Sequence, residues 1–387
     1  MPNKHQPKDN YTVGRTLSTG VVSPRQTPPH PSTLAVPDTS SKPKRRAWKK
    51  ALAFTILLIL LVPLIIGIWD AYNYSRASQK LFGSGNLLSA LTPTTLKGSD
   101  RGRVNILIVG FSADDPGHAG AKLTDSIMVV SLNPDSRTGY MLSIPRDLYV
   151  LIPAFGRAKI NEAYQDGEAG NFSEVGYAPG GMGLLEKTIS QSLGIQTDYY
   201  ALVNYTAVRD ITDALDGITV NIQSSDARGI YDPNFKANEG GPLRLSNGPQ
   251  DINGLTALRL TRARGAAGGS YGLALSDFDR TKNQQAVLTG IKNKISWGIL
   301  LNPIKNDPLL AAAGDNIRTD ISISEVLPLF RLFHSVPESA LKTVTLRDIN
   351  GQNLLIGYTT PYGQSALIPA AGPYDYSDIR VAIQGLN

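Results

Sequence analysis

Along this chain, stretches without any apolar period give way to one long uncharged run and then to dense apolar patterning. Residues 1–43 are rich in Pro, Ser, Thr and Lys and show no apolar period, so they cannot offset the entropy of ordering. Their pattern predicts a disordered tail. Ala51 to Trp69 is then free of charge, and nineteen helical residues would span about 28 Å, enough for a bilayer core. A cleaved signal peptide would instead start at the extreme N-terminus, with a shorter apolar stretch and a small-residue cleavage site. Pro63 predicts a kink in this helix.

Turn chemistry at Thr92-Pro93, Gly98-Ser99 and Arg101-Gly102 closes a tether over 70–102. Beyond it, Val104–Gly110, Ile127–Val130 and Tyr140–Ile144 are near-continuous apolar runs, the signature of strands buried on both faces. Helical periods follow at Met182–Leu193, ended by Gly194, and at Thr206–Leu215, ended by Gly217. Ile218–Ile222 alternates as a strand, and 224–250 reads as a long loop or hairpin excursion. Leu255–Arg264 starts as a helical turn or a strand. Ser276–Ile295 is a marked helix with Ser276 as N-cap, and helix-like Ser324–Phe333, strand-like Lys342–Leu346 and helix-like Ser377–Gly385 complete the chain. The fold class is therefore α/β, a mixed central sheet flanked by helices, behind a disordered tail and one transmembrane helix. The divisions are a tail over 1–50, the membrane helix over 51–69, the tether over 70–102 and one domain over 103–387.

Charge placement changes what the net +6 means. Residues 1–50 hold ten Lys/Arg against Asp9 and Asp38, leaving 28 basic and 30 acidic residues for the rest (38 − 10 and 32 − 2), so the folded part offers no nucleic-acid surface. Six basic residues between Lys42 and Lys50 precede the apolar run, and only Arg76 and Lys80 soon follow it. That bias places the N-terminus in the cytoplasm and the C-terminal domain outside the cell membrane. Cysteine is absent, which excludes disulfides, zinc–thiolate sites and a thiol nucleophile. With only His118 and His334 beyond the tail, a Ser-His-Asp triad or a multi-histidine metal site is excluded in practice.

The candidate chemistry lies in polar residues at positions where the period calls for core. On the 276–295 helix the apolar stripe Leu288, Ile291, Ile295 continues backwards through Gln284, Arg280 and Asp277; the bland alternative is a solvated first turn with an aspartate on the helix dipole. Leu258, Leu260, Arg262 and Arg264 share parity, so an extended strand would project both arginines from one face. Like charges on one face are costly unless an anion lies between them, and the planar guanidinium suits phosphate oxygens, although an exposed edge decorated with arginines has the same pattern. Ser143–Asp147 sets Arg146 at the end of a buried strand, where α/β folds place their ligands. Asp125 stands at a strand entrance, as a turn-capping group or as a metal carboxylate, and Asp114 or Asp115 could complete an oxygen site for Mg²⁺.

Taken in order, NILIVG, LTDSIMVVSLNP, MLSIPRDLYV, the Lys159–Tyr164 stretch KINEAY, DYYALVNY, LDGITVNI, NGLTALRLTRARG and DFDRTKNQQAVL resemble the LytR-CpsA-Psr family of cell-wall ligases over roughly 103–295. The resemblance implies transfer of a glycopolymer from a polyprenyl-pyrophosphate carrier to a muramic-acid hydroxyl of peptidoglycan, with Mg²⁺. It implies that Arg146, Arg262, Arg264 and Arg280 hold the pyrophosphate, with Asp277 and Gln284 on the family's helix motif, Lys159 and Asn161 in the KINEAY stretch beside the substrate, and Asp125 at the metal. Two positions depart from the family pattern. Asn283 stands where a second helix arginine is usual, and Phe111-Ser112 where an aspartate is usual, so that Asp114 or Asp115 would have to replace it. Other readings are a non-catalytic scaffold or regulator that binds the lipid pyrophosphate, and a hydrolase such as a pyrophosphatase. Ser339-x-x-Lys342 has the spacing of a penicillin-recognising serine enzyme but lacks the downstream elements.

Overall fold

The computed structural model describes residues 94–111, 123–265, 268–300 and 303–386. The expected tail, membrane helix and most of the tether lie outside these residues, as do Asp114 and Asp115. Among the described residues no helix is long and apolar enough to cross a membrane.

Strands β1 (Val104–Phe111), β2 (Thr124–Asn133) and β3 (Thr138–Ile144) form an antiparallel meander that coincides with the three apolar runs. After it come the hairpin β4 (Tyr149–Ile152) with β5 (Gly156–Lys159), helices α1 (Ala163–Ala169) and α2 (Gly181–Leu193), strand β6 (Tyr199–Asn204), helix α3 (Tyr205–Ala214) and strand β7 (Ile218–Ile222). The 224–250 excursion is a hairpin of β8 (Ile230–Asp232) and β9 (Leu243–Leu245), and β10 (Gly248–Ile252) then returns to pair with β7. Helices α4 (Gly254–Arg262), α5 (Asp277–Lys294) and α6 (Pro303–Asn316) lead to β11 (Ile317–Thr319) and α7 (Ile323–Ser335). The chain ends in β12 (Leu341–Thr345), β13 (Asp348–Ile349), β14 (Gln352–Asn353), the hairpin of β15 (Leu355–Thr359) and β16 (Ser365–Pro369), and α8 (Ser377–Gln384).

The main sheet has eight strands in the order β11-β6-β1-β2-β3-β12-β13-β14. It is mixed, because β6 runs parallel to β1 and β12 parallel to β3 while the other pairs are antiparallel. Leu107, Val129 and Leu142 are in register across its centre and face one core, shared with α1, α2 and α8. Met128, Val130, Met141 and Tyr199 point the other way, into a core covered by α7. Burial on both faces explains why β2 and β3 read as unbroken apolar runs rather than alternating ones.

A second hydrophobic cluster gathers α3, α4, β7 and the β8–β9 hairpin. Helix α5 stands between it and the main sheet, contributing Val287 to the former and Leu288 to the latter. Gly290 permits this, since a Cβ there would lie 2.8 Å from the Thr219 carbonyl oxygen. On the sheet side, buried Gln285 places its Nε2 within 3.0 Å of the Met141 and Val344 carbonyl oxygens and 2.9 Å from Ser143 Oγ. A helix packed on two sides needs no single apolar stripe, which corrects the expected continuous face: Ile291 and Ile295 pack against the second cluster and Leu288 against the sheet. Ser276 does occupy the N-cap position, but its side chain makes no capping bond; the Leu275 N–H instead donates to Asp279 Oδ2 at 2.7 Å.

Of the helical turn or strand expected over Leu255–Arg264, the helical alternative holds through Arg262 and the extended one is corrected. The segment forms helix α4, ending at Arg262, with Asn253 as N-cap accepting from the Thr256 N–H at 3.0 Å. Buried Ala257 and Leu260 repeat at helical rather than alternate spacing.

Candidate functional site

Three elements converge at the carboxyl end of β3. Continuing the β2–β3 register beyond the pair Ile127 and Ile144 brings Asp125 opposite Arg146. Arg146 follows Pro145, which ends the strand, and its Nη1 donates to Asp125 Oδ1 at 2.5 Å. The third element is the N-terminus of α5, where Asp277 sits in the first turn, favoured there by the helix dipole.

Asp277 is the hub. Arg146 Nε lies 3.6 Å from its Oδ2, Arg264 Nε 3.0 Å from its Oδ1, and Arg280 Nη2 3.4 Å from the same Oδ1. Arg280 is buried and also donates to the Asp125 carbonyl at 2.9 Å, joining α5 to β2. Gln284, one turn on, accepts from Ser126 Oγ at 2.8 Å and donates to the Thr261 carbonyl at 3.1 Å, so it holds β2 and α4 to the helix. On the other flank Asp147 lies 3.6 Å from Arg146 Nε and accepts from Lys159 Nζ at 2.9 Å. Burial by itself would lower the Arg146 pKa, but the Asp125 hydrogen bond and the fields of Asp277, Asp125 and Asp147 outweigh it and leave the pKa raised.

These groups line a cleft of about 230 Å³ that includes Asp125, Arg146, Asp277, Arg280 and Gln284, with Ile127, Ile144 and Leu367 as apolar wall. A second cleft of about 420 Å³ shares Arg146 and Asp147 and reaches Lys159, Asn161 and Gln165. Asn161 is buried, with its N–H directed at the Arg146 carbonyl at 3.3 Å. Unmet polar atoms gather at this junction: among the described residues, Arg146 Nε, Arg280 Nε and Asn161 Oδ1 are buried without a hydrogen bond. Buried polar groups are otherwise nearly always paired, so such a concentration marks a place shaped for a ligand.

Arg262 goes elsewhere. It ends α4, its Nη1 reaches Glu239 Oε1 at 3.0 Å and its guanidinium lies 5.3 Å from the Tyr205 ring centre. The shared face expected for Arg262 and Arg264 thus fails because the helix ends between them. Asn283 is buried and lines a separate cavity, beside Lys282 and Gln285. Sequence reasoning missed Glu239, Gln285 and the β15–β16 hairpin, which is drawn to the site by a bridge from Leu148 to Leu367. Only Gln285 carried a signal, as an amide next to Gln284 on a helix already read as significant.

The residues fit a hard cation in kind. Asp125 and Asp277 both present carboxylate oxygens to the cleft, and Mg²⁺ needs few protein carboxylates when phosphate oxygens supply the rest. Among the described residues no group of three or more His, Cys, Asp or Glu gathers as a self-sufficient metal cage.

A model of the LytR_cpsA_psr family matches residues 70–366. The regulatory protein MsrR of Staphylococcus aureus is 31% identical over 196 residues, half of this chain and half of that protein. The chain thus spans about half the length of that curated relative. The polyisoprenyl-teichoic acid–peptidoglycan teichoic acid transferase TagT of Bacillus subtilis is 26% identical over 299 residues, covering 76% of this chain and 84% of that one. Among solved structures, TagT bound to LIIa-WTA aligns with a TM-score of 0.54 at 22% identity, over 79% of this chain and 96% of that chain. TagV of B. subtilis gives a TM-score of 0.53 at 24% identity, over 73% and 96%. At these identities the structural likeness establishes the fold.

Proposed function

This chain belongs to the LytR_cpsA_psr family, and from that premise we propose that it is a membrane-anchored phosphotransferase. It would move a glycopolymer from a polyprenyl-pyrophosphate carrier to a muramic-acid hydroxyl of peptidoglycan. The observation that carries this reading is the meeting of Arg146, Arg264 and Arg280 on the Asp277 carboxylate, from β3, the α4 exit and α5.

Those three arginines and Lys159 stand against Asp125, Asp147 and Asp277, a local balance of +1 (4 − 3). A pyrophosphate diester carries more negative charge than that balance meets. A Mg²⁺ ion held by Asp125 and Asp277 would supply the remaining positive charge and polarise the phosphoryl oxygens. Arg146, Arg264 and Arg280 would grip non-bridging oxygens and stabilise the charge that develops on departing polyprenyl phosphate. The muramic-acid hydroxyl oxygen attacks the phosphorus that bears the glycan. A new P–O bond forms, the bond from that phosphorus to the bridging oxygen breaks so that this oxygen leaves with the polyprenyl phosphate, and the hydroxyl proton passes to Asp147, Asp277 being committed to the cation and the arginines. Ile127, Ile144 and Leu367 give the first isoprene units an apolar wall.

The test supplies full-length chain with a polyprenyl-pyrophosphate-linked glycan, peptidoglycan and Mg²⁺, and follows polyprenyl phosphate release together with glycan attachment. Both products are expected. Binding of the carrier without either product would favour a second reading, a non-catalytic regulator, which Asn283 in place of the usual helix arginine supports; release of free glycan phosphate without attachment would indicate a pyrophosphatase.

A further inference from the structure

We infer that Asp232, on the β8–β9 hairpin, is a positioning residue for Arg264; the inference concerns the same site and rests on the reading above. Asp232 is 1% exposed, and both its oxygens are engaged. Oδ2 accepts the consecutive N–H groups of Arg264 and Gly265, each at 3.0 Å. Oδ1 accepts the Asn234 N–H at 3.0 Å and its Nδ2 at 2.6 Å. Taking a carboxylate out of water is costly, and these four N–H donors are what offset that cost here. The side chain therefore fixes one geometry: it ties the chain leaving α4 to the start of the hairpin.

Arg264 needs that tie. It follows the end of α4, beyond the last helical hydrogen bonds, and among the described residues its Nε contact with Asp277 connects its side chain to the site. On one side Ala263 is fully buried; on the other, Gly265 has φ of +66°, and a Cβ there would come within 2.7 Å of Leu273. With its N–H and the next one fastened to Asp232, the Arg264 main chain has a single path, and that path aims the guanidinium at Asp277. The same hairpin holds Arg262 away from the cluster through Glu239, so the 224–250 excursion sets the direction of both arginines. An oriented guanidinium loses less freedom when it grips phosphate, and the expected effect falls on ligand binding and turnover rather than on folding alone.

A double-mutant cycle on the full chain tests this, with inorganic pyrophosphate plus Mg²⁺ as the calorimetric probe and thermal unfolding beside it. In the chain with Arg264, Asp232→Asn is expected to weaken pyrophosphate binding about tenfold, and in the Arg264→Ala chain by less than about twofold, because the two residues act through one contact. Equal losses in both backgrounds, or no loss in the first, overturn the inference. If the unsubstituted chain binds no pyrophosphate, the proposed function fails instead. A crystal structure of Asp232→Asn then decides the inference: Arg264 turned from Asp277 supports it, and an unmoved guanidinium refutes it.

Discussion

Arg146 donates from Nη1 to Asp125 Oδ1 at 2.5 Å, joining the end of one central strand to the start of its neighbour. Among the described residues, the pair leaves Arg146 Nε between two further carboxylates without a hydrogen bond of its own. Arg146→Ala is therefore expected to lower glycopolymer transfer by at least ~10³, the scale of an arginine that stabilises phosphoryl-transfer charge. Steady-state transfer assays check it, and a loss under tenfold would assign Arg146 a structural role alone.

Arg262 and Arg264 should separate. Arg264 reaches Asp277 and Arg262 reaches Glu239, so Arg264→Ala is expected to cost at least ~10³ in activity, and Arg262→Ala markedly less. Parallel assays of the two variants decide it; equal losses would show that the hairpin releases Arg262 to the substrate during the reaction.

Gln285 offers a stability test remote from the chemistry. Its amide bonds to Met141, Ser143 and Val344, so Gln285→Leu removes these bonds from oxygens of β3 and β12. Urea unfolding is expected to show a loss of about 1–3 kcal/mol.

Glu325 provides a pH dependence with a definite sign. Burial would raise its pKa, but hydrogen bonds from the Ser322 hydroxyl and N–H and from Tyr199 outweigh that and hold it below the usual carboxylate value. Its contribution is therefore full above the unfolded-state pKa and is lost as pH falls through the lower folded value. The stability difference between the unsubstituted chain and Glu325→Gln should narrow on acidification in denaturant titrations; a constant gap would show that the charge contributes nothing.

Topology can be checked on intact cells. The charge bias across Ala51–Trp69 predicts that added protease digests the C-terminal domain and spares the N-terminal tail. A protected domain would reverse the orientation.

Much of the sheet was legible because β2 and β3 are buried on both faces, and such strands must be apolar throughout. Arg146 was legible for a related reason: a charge placed directly after a buried strand has few structural explanations. The α4 segment stayed open between helix and strand because Leu258, Leu260, Arg262 and Arg264 fit period two as well as Ala257 and Leu260 fit a helical face. The two-sided packing of α5 was hidden as well, since Gln285 serves Met141, 144 residues away in sequence, and Gly290 lies against Thr219, about seventy residues away. Asp232 and Glu239 lay in a stretch without periodicity, and their roles arise from hairpin pairing that no local pattern announces.

The most direct measurement is a crystal structure of the chain with a polyprenyl-pyrophosphate analogue and Mg²⁺. Phosphate oxygens within hydrogen-bond distance of Arg146, Arg264 and Arg280, with the isoprenoid against Ile127 and Ile144, are the predicted result. Density for the diphosphate anywhere else on the molecule, with those three guanidinium groups still on Asp125, Asp147 and Asp277, would contradict it.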